Sequence, residues 1–219
     1  MKLFLDTAHI PSIEKWAATG ILDGITTNPS SLSKEGGSPL EVVRKICALL
    51  PEGDISVEIT ESDPKAVYEQ ALRIADIAEN VIVKIPCSPQ FYKTIAKLAD
   101  HDLLLNITLV FSVTQALVMS KLGVYYISPF VGRLDETGVD GIQLLHDIRE
   151  MVDAYGYETE ILAASIRSVE KLEQAILAAP DCVTLPVQVL EQAVEHPLTV
   201  AGMEKFLADW KKLNIVKFP

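Results

Sequence analysis

The stretch Asn80–Pro86, NVIVKIP, sets a lysine in the middle of an otherwise apolar, β-branched run. Runs of this kind recur along the chain: KLFLD (2–6), DGITTN (23–28), ISVEIT (55–60), VIVKIP (81–86), LLLNITLV (103–110), VYYISPF (124–130), EILAAS (160–165) and CVTLP (182–186). Continuous apolarity, in place of strict alternation, marks strands covered on both faces. Between the runs lie segments with helical periodicity. In DPKAVYEQALRIADIAE (63–79), Val67, Ala71, Ile74 and Ala78 form one stripe with charges opposite. Residues 38–50, 89–100, 112–123, 140–156 and 168–180 read in the same way. Ser38-Pro39 and Asp63-Pro64 suit helix starts, and Gly123 and Gly156 suit helix stops. The stretches SKEGGSP (33–39) and RLDETGVDG (133–141) read as loops.

Strand and helix alternate, which means parallel strands joined by helical crossovers. An open doubly wound sheet and a closed eight-stranded barrel both fit, and the polar residues decide between them. Each apolar run carries its hydrogen-bonding or ionisable group near its carboxyl end: Asp6, Thr27 and Asn28, Glu58, Lys84, Asn106 and Thr108, Ser128, and Ser165, with Arg133 and Arg167 just beyond. With neighbouring strands ~4.8 Å apart, an open sheet would hold the outer groups ~30 Å from one another. Closure gathers them around one mouth, the face where barrel active sites lie. The expected fold is therefore a (β/α)8 barrel in a single domain spanning 1–219, with an additional amphipathic helix over 199–212 that packs on the barrel or on a neighbouring subunit.

The formal net charge of −11 comes from acidic residues spread over many helical faces, with no Lys/Arg block to follow a nucleic-acid backbone. Cys47, Cys87 and Cys182 have neither zinc-site spacing nor disulfide density, so no metal site is expected, and the four histidines are equally scattered. An acid interrupts the opening MKLFLDTAHIPS too early for a signal-peptide core, and no later run has membrane-span length. A soluble cytoplasmic protein without nucleic-acid or membrane partners is expected.

An ammonium on a doubly covered strand carries a desolvation cost that the neutral amine escapes, so burial favours the nucleophilic form of Lys84. Such an amine attacks a carbonyl and dehydrates to an iminium, an electron sink for breaking the adjacent carbon–carbon bond. The competing reading is a lysine paired with Glu58 or Asp6 for stability alone. Carboxylates at other strand mouths, Asp6 and Glu58, suit the proton relay and the positioned water that a carbinolamine needs. Arg133 and Arg167 offer guanidinium forks to a phosphate dianion, and Asn28 and Asn106 offer both donor and acceptor to sugar hydroxyls, although Asn28-Pro29 also suits a turn.

The ordered motifs LFLDTA, GITTNPS, ISVEIT, VIVKIP, NITLVFS, ISPFVGRLD, LAASIRS and TLP resemble those of the transaldolase family, and specifically its short, single-domain bacterial subfamily, over essentially the whole chain. The resemblance implies a barrel enzyme that transfers a dihydroxyacetone unit between sugar phosphates through a Schiff base, without metal or organic cofactor. Lys84 matches the Schiff-base lysine and Asp6 the acid/base of C–C cleavage. Glu58 and Thr108 match the pair that holds the water of dehydration and hydrolysis. Asn28, Asn106 and Ser128 match residues that hold the dihydroxyacetone portion, and Arg133, Ser165 and Arg167 the phosphate group. The related fructose-6-phosphate aldolase usually has glutamine in place of Glu58 and tyrosine in place of Phe130, so both positions favour transfer over release of free dihydroxyacetone. A catalytically silent sugar-phosphate binding protein is the reading from another class. Ser31, Ile166 and the PCSPQFY segment depart from the family pattern. Small members of the family form ring-like homo-oligomers, which implies a pentamer or a decamer.

Overall fold

The structure, a computed structural model, describes residues 1–213; the last six residues of the expected 1–219 domain lie outside the described residues. Eight strands form one closed parallel barrel in sequence order: β1 (Lys2–Asp6), β2 (Gly24–Thr26), β3 (Asp54–Glu58), β4 (Val81–Pro86), β5 (Leu105–Val110), β6 (Tyr126–Pro129), β7 (Glu160–Ala163) and β8 (Cys182–Leu185). The helices are α1 (Ile10–Ala17), α2 (Pro29–Leu32), α3 (Pro39–Leu49), α4 (Pro64–Ala75), α5 (Tyr92–Ala99), α6 (Val113–Lys121), α7 (Val131–Asp135), α8 (Gly141–Tyr155), α9 (Val169–Leu177), α10 (Val187–Val194) and α11 (Pro197–Lys212). The expected (β/α)8 barrel with a C-terminal helix is the fold observed. No helix among the described residues is long and apolar enough to cross a membrane.

Asp63 caps α4 by accepting from the backbone N–H groups of Lys65 and Ala66, and Gly156 closes α8 in the left-handed region. The expected helices are present, and others add to them. The short helices α1 and α10 had no counterpart in the sequence reading. Helix α7 occupies the start of a stretch read as loop, and Gly132 lets it press onto the segment that follows β7: a Cβ there would lie 2.3 Å from the Ser165 carbonyl oxygen. The C-terminal helix begins at Pro197, slightly before the expected 199, where the His196 side chain accepts from the Leu198 N–H.

Strand residues divide by parity. Leu5, Ile25, Ile55, Val83, Ile107, Ile127, Ile161 and Val183 point outward and join the large core under the helices. Phe4, Ile82, Tyr126, Leu162 and Cys182 point inward and form a separate apolar plug in the barrel. This double burial is why the runs are continuously apolar. Below the plug, Lys2 Nζ lies 3.0 Å from Glu160 Oε2 and 3.6 Å from Asp54 Oδ2, and the Tyr126 hydroxyl donates to Asp54 at 2.5 Å. Burial, reinforced by the Asp54 carboxylate, pushes the Tyr126 phenol far above its ordinary range, so it stays a donor. The amino-terminal end of the barrel is thus closed by mutually satisfied polar groups, and the carboxyl end is left for the cavity.

Candidate active site

Parallel register brings the polar strand ends together. Glu58 on β3 pairs with Lys84 on β4, Lys84 with Asn106 on β5, and Asp6 on β1 with Thr26 on β2. At the carboxyl face they surround a cavity of about 470 Å³. Ten of the residues singled out from sequence line it: Asp6, Asn28, Glu58, Lys84, Thr108, Ser128, Phe130, Arg133, Ser165 and Arg167. Asn106 departs from expectation. It is completely buried and does not line the cavity; its Nδ2 donates to Ser56 Oγ at 3.0 Å and its Oδ1 accepts from Ser128 Oγ at 2.6 Å. Its amide therefore orients Ser128 from beneath.

Lys84 is 5% exposed, yet its head group is not in apolar surroundings. Nζ lies 3.1 Å from Glu58 Oε2 and donates to the Thr27 carbonyl at 3.1 Å. The greasy run that carries the lysine serves the outer wall; the inward face meets a carboxylate that offsets the cost of a buried charge. Asp6 is held on another side. Its Oδ1 accepts long hydrogen bonds, both 3.4 Å, from Thr26 Oγ1 and Asn28 Nδ2. Burial raises the Asp6 carboxyl above its ordinary range, opposed by the positive charge of Lys84, those two hydrogen bonds and the charge of Lys34.

Asn28 serves two purposes. Its Oδ1 caps α2 by accepting from the Ser31 N–H, while Ser31 Oγ accepts from the Asn28 N–H. Ser31, a departure from the family pattern, thus completes a capping box, and the Asn28 amide is left facing Asp6. Thr108 Oγ1 is buried with no hydrogen-bond partner among the described residues. An orphaned hydroxyl beside a cavity is a ready partner for a ligand or a water.

The two arginines expected from sequence to meet a phosphate sit differently. The Arg133 guanidinium lies over the Phe130 ring, 5.2 Å from its centroid, and makes no ion pair among the described residues. Arg167 is paired with Glu136 just beyond α7. Ser165 and Leu109 both line the cavity with positive φ, 60° and 58°, which side-chain-bearing residues rarely adopt. Leu109 sits in the register shift between β5 and β6, which turns it toward the mouth. Thr26, Thr184 and Leu109 also line the cavity and were missed from sequence. For Thr26 the signal was present: it precedes Asn28 by two and so shares its face. For Leu109 there was none.

Cys47, Cys87 and Cys182 are free and buried, and burial pushes all three thiols up. Among the described residues no group of three or more His, Cys, Asp or Glu could hold a metal ion.

Comparison with known proteins places this cavity in context. The family model "Transaldolase/Fructose-6-phosphate aldolase" matches residues 3–217. The chain belongs to that family. It is 46% identical over 214 residues to a probable transaldolase of Leptospira biflexa, covering 98% of this chain and all of that protein. It is 48% identical over 213 residues to a probable transaldolase of Parvibaculum lavamentivorans, covering 97% of each. A probable transaldolase of Dehalococcoides mccartyi is 47% identical over 215 residues, 98% of this chain and 100% of that protein. An enzyme of the transaldolase type accords with a concave polar cavity built on rigid strand ends.

The Asp6 environment predicts a pH signature. Below the ordinary value of 3.8 both folded and unfolded forms hold the proton. As pH rises, the unfolded chain ionises first and stability is lost until the raised folded value is passed. Asp6→Asn removes this loss. Thermal melts are expected to give the variant a higher Tm than wild type near neutral pH, with the gap shrinking as pH falls through the raised folded value and levelling off below the ordinary value of 3.8. A gap independent of pH would contradict the assignment.

Proposed function

We propose that the chain is a transaldolase that moves a dihydroxyacetone unit through a Schiff base on Lys84. The donor is sedoheptulose 7-phosphate or fructose 6-phosphate. The acceptor is glyceraldehyde 3-phosphate or erythrose 4-phosphate, in a cytoplasmic pentose phosphate pathway. The observation that carries the reading is a buried primary amine facing the cavity, 3.1 Å from a carboxylate, with a second carboxylate, Asp6, lining the same cavity.

In this reading Glu58 is the base within reach when the Lys84 ammonium gives up its proton. The amine adds to the ketose C2, and loss of water from the carbinolamine leaves the iminium. Glu58 and the orphaned Thr108 hydroxyl hold that water. Asp6 takes the proton of the C4 hydroxyl as the C3–C4 bond breaks. The electron pair flows into the iminium to give the enamine, and the aldose phosphate departs. The enamine then attacks the acceptor aldehyde, Asp6 returns its proton to the new alkoxide, and water releases the product. A raised carboxyl pKa suits a group that both accepts and returns a proton.

Asn28 and Ser128 hold the dihydroxyacetone hydroxyls, with Asn106 fixing Ser128. Arg133, Ser165 and Arg167 hold the phosphate, which must displace Glu136 from Arg167. Phe130 brings no hydroxyl to the enamine, packing edge-on against Phe111 with centroids 6.0 Å apart, so the enamine waits for an aldehyde and is not protonated. Release of free dihydroxyacetone, the aldolase alternative, is disfavoured on the same ground.

Coupled assays with purified protein test this. The expected result is product formation that requires an acceptor aldehyde, and a loss on the order of 10³ or more in kcat for Lys84→Arg, because arginine supplies no free amine at neutral pH. Dihydroxyacetone released without acceptor would favour the aldolase, and no turnover would favour a silent binding protein.

Helix α11 supports a homo-oligomer, a pentamer or a decamer. It has no buried residue, and Leu198, Met203, Phe206 and Leu207 are 58–75% exposed. A stripe of this kind is usually covered in an assembly. Sedimentation is expected to show an oligomer that Phe206→Glu weakens; a monomeric wild-type protein at micromolar concentration would contradict this.

A further inference from the structure

Strand β1 lies between β2 and β8, with Asp6 in register with Thr26 and Phe4 in register with Thr184. Across the inward face of β1 the two threonine hydroxyls meet at 2.7 Å, although 158 residues separate them in sequence. Both side chains are buried, 2% and 3% exposed, and both line the cavity. Thr26 Oγ1 also reaches Asp6 Oδ1 at 3.4 Å.

Proton counting fixes the direction of this chain. An ionised carboxylate only accepts, and a threonine hydroxyl has one proton to give. The Thr26 proton therefore goes to Asp6, and Thr26 must accept from Thr184. We propose that Thr184 is a positioning residue for the Asp6 carboxylate, acting through Thr26. The inference rests on the reading of Asp6 as the acid/base of the transfer.

The chain favours the ionised form, the form that can take a proton from substrate, and so works against burial, which favours the neutral acid. The other groups facing Asp6 are the Lys84 ammonium from β4, itself paired with Glu58 from β3, the Lys34 ammonium from the segment after α2, and the Asn28 amide at the end of β2. Among the described residues none of them shares a hydrogen bond with Thr184, whose hydroxyl meets that of Thr26, so its removal acts through the hydroxyl chain. Once Asp6 holds the substrate proton, the direction is no longer imposed and the chain relaxes. The arrangement thus discriminates between the two protonation states the reaction passes through.

Thr184→Val keeps the shape of the side chain and deletes the donor; Thr184→Ser keeps the donor. The test is a titration of the Asp6 carboxyl by NMR in protein labelled with ¹³C at aspartate, the resonance identified by its loss in Asp6→Asn. Thr184→Val is expected to move the Asp6 midpoint to higher pH and Thr184→Ser to leave it near wild type. The ratio of wild-type to Val-variant kcat/KM is expected to grow about two- to tenfold from the plateau to the acid limb of the pH profile. Should Thr184→Val not fold, Thr184→Ala must show the same displacement. An Asp6 midpoint unchanged on loss of the hydroxyl, or a Ser variant that behaves like Val, would overturn the proposal. Because the titration needs no turnover, an inactive wild-type protein would refute the transfer reading without deciding this one.

Discussion

A cation inside a closed ring of strands must find an anion, and in this barrel register supplies it. Glu58 and Lys84 are direct partners across β3 and β4, and their head groups meet at 3.1 Å. Neither side chain is well hydrated, so removing one partner would leave an uncompensated charge, a loss of several kcal/mol in comparable buried pairs. The pair constrains the rest of the site: Lys84 is held against the Thr27 carbonyl, and the carboxylate that neutralises it is also the group best placed to receive its proton.

The two ends of the barrel show what distinguishes a structural polar cluster from one prepared for a ligand. At the amino-terminal end Lys2, Asp54, Tyr126 and Glu160 satisfy one another at short range. At the carboxyl end the bonds to Asp6 are long, Thr108 has no partner among the described residues, and Arg133 makes no ion pair among them. Polar groups left under-satisfied inside a well-packed protein destabilise it unless something else completes them. In the proposed function a polyhydroxylated phosphate ester supplies complementary donors and acceptors, and the raised Asp6 carboxyl reflects the same cost of burial.

How much of this was legible depended on range. Strand positions followed from continuously apolar runs, and the polar groups of the cavity from their place near the carboxyl ends of those runs, as with Asn28, Glu58, Lys84, Thr108 and Ser128. Motif resemblance added the roles, and the fold and family agree with it. Hidden features were those set by tertiary neighbours. Asn106 has the right type and parity to face a ligand, yet lies one layer deeper and is taken up by Ser56 and Ser128. Thr184 gains meaning only when β8 closes against β1, a contact no local pattern announces. The pairing of Arg167 with Glu136 and the positive φ of Leu109 likewise depend on how loops settle over the mouth. Helix α1 was obscured by its shortness, since eight residues give little more than two turns of periodicity.

The central claim, that Lys84 carries the substrate as an imine, is open to one direct measurement. The protein is incubated with fructose 6-phosphate, reduced with borohydride, digested and sequenced by mass spectrometry. The account predicts a reduced dihydroxyacetone adduct on the peptide containing Lys84, formed only when donor is present. An adduct on another lysine, or transfer activity with no reducible intermediate at all, would contradict it.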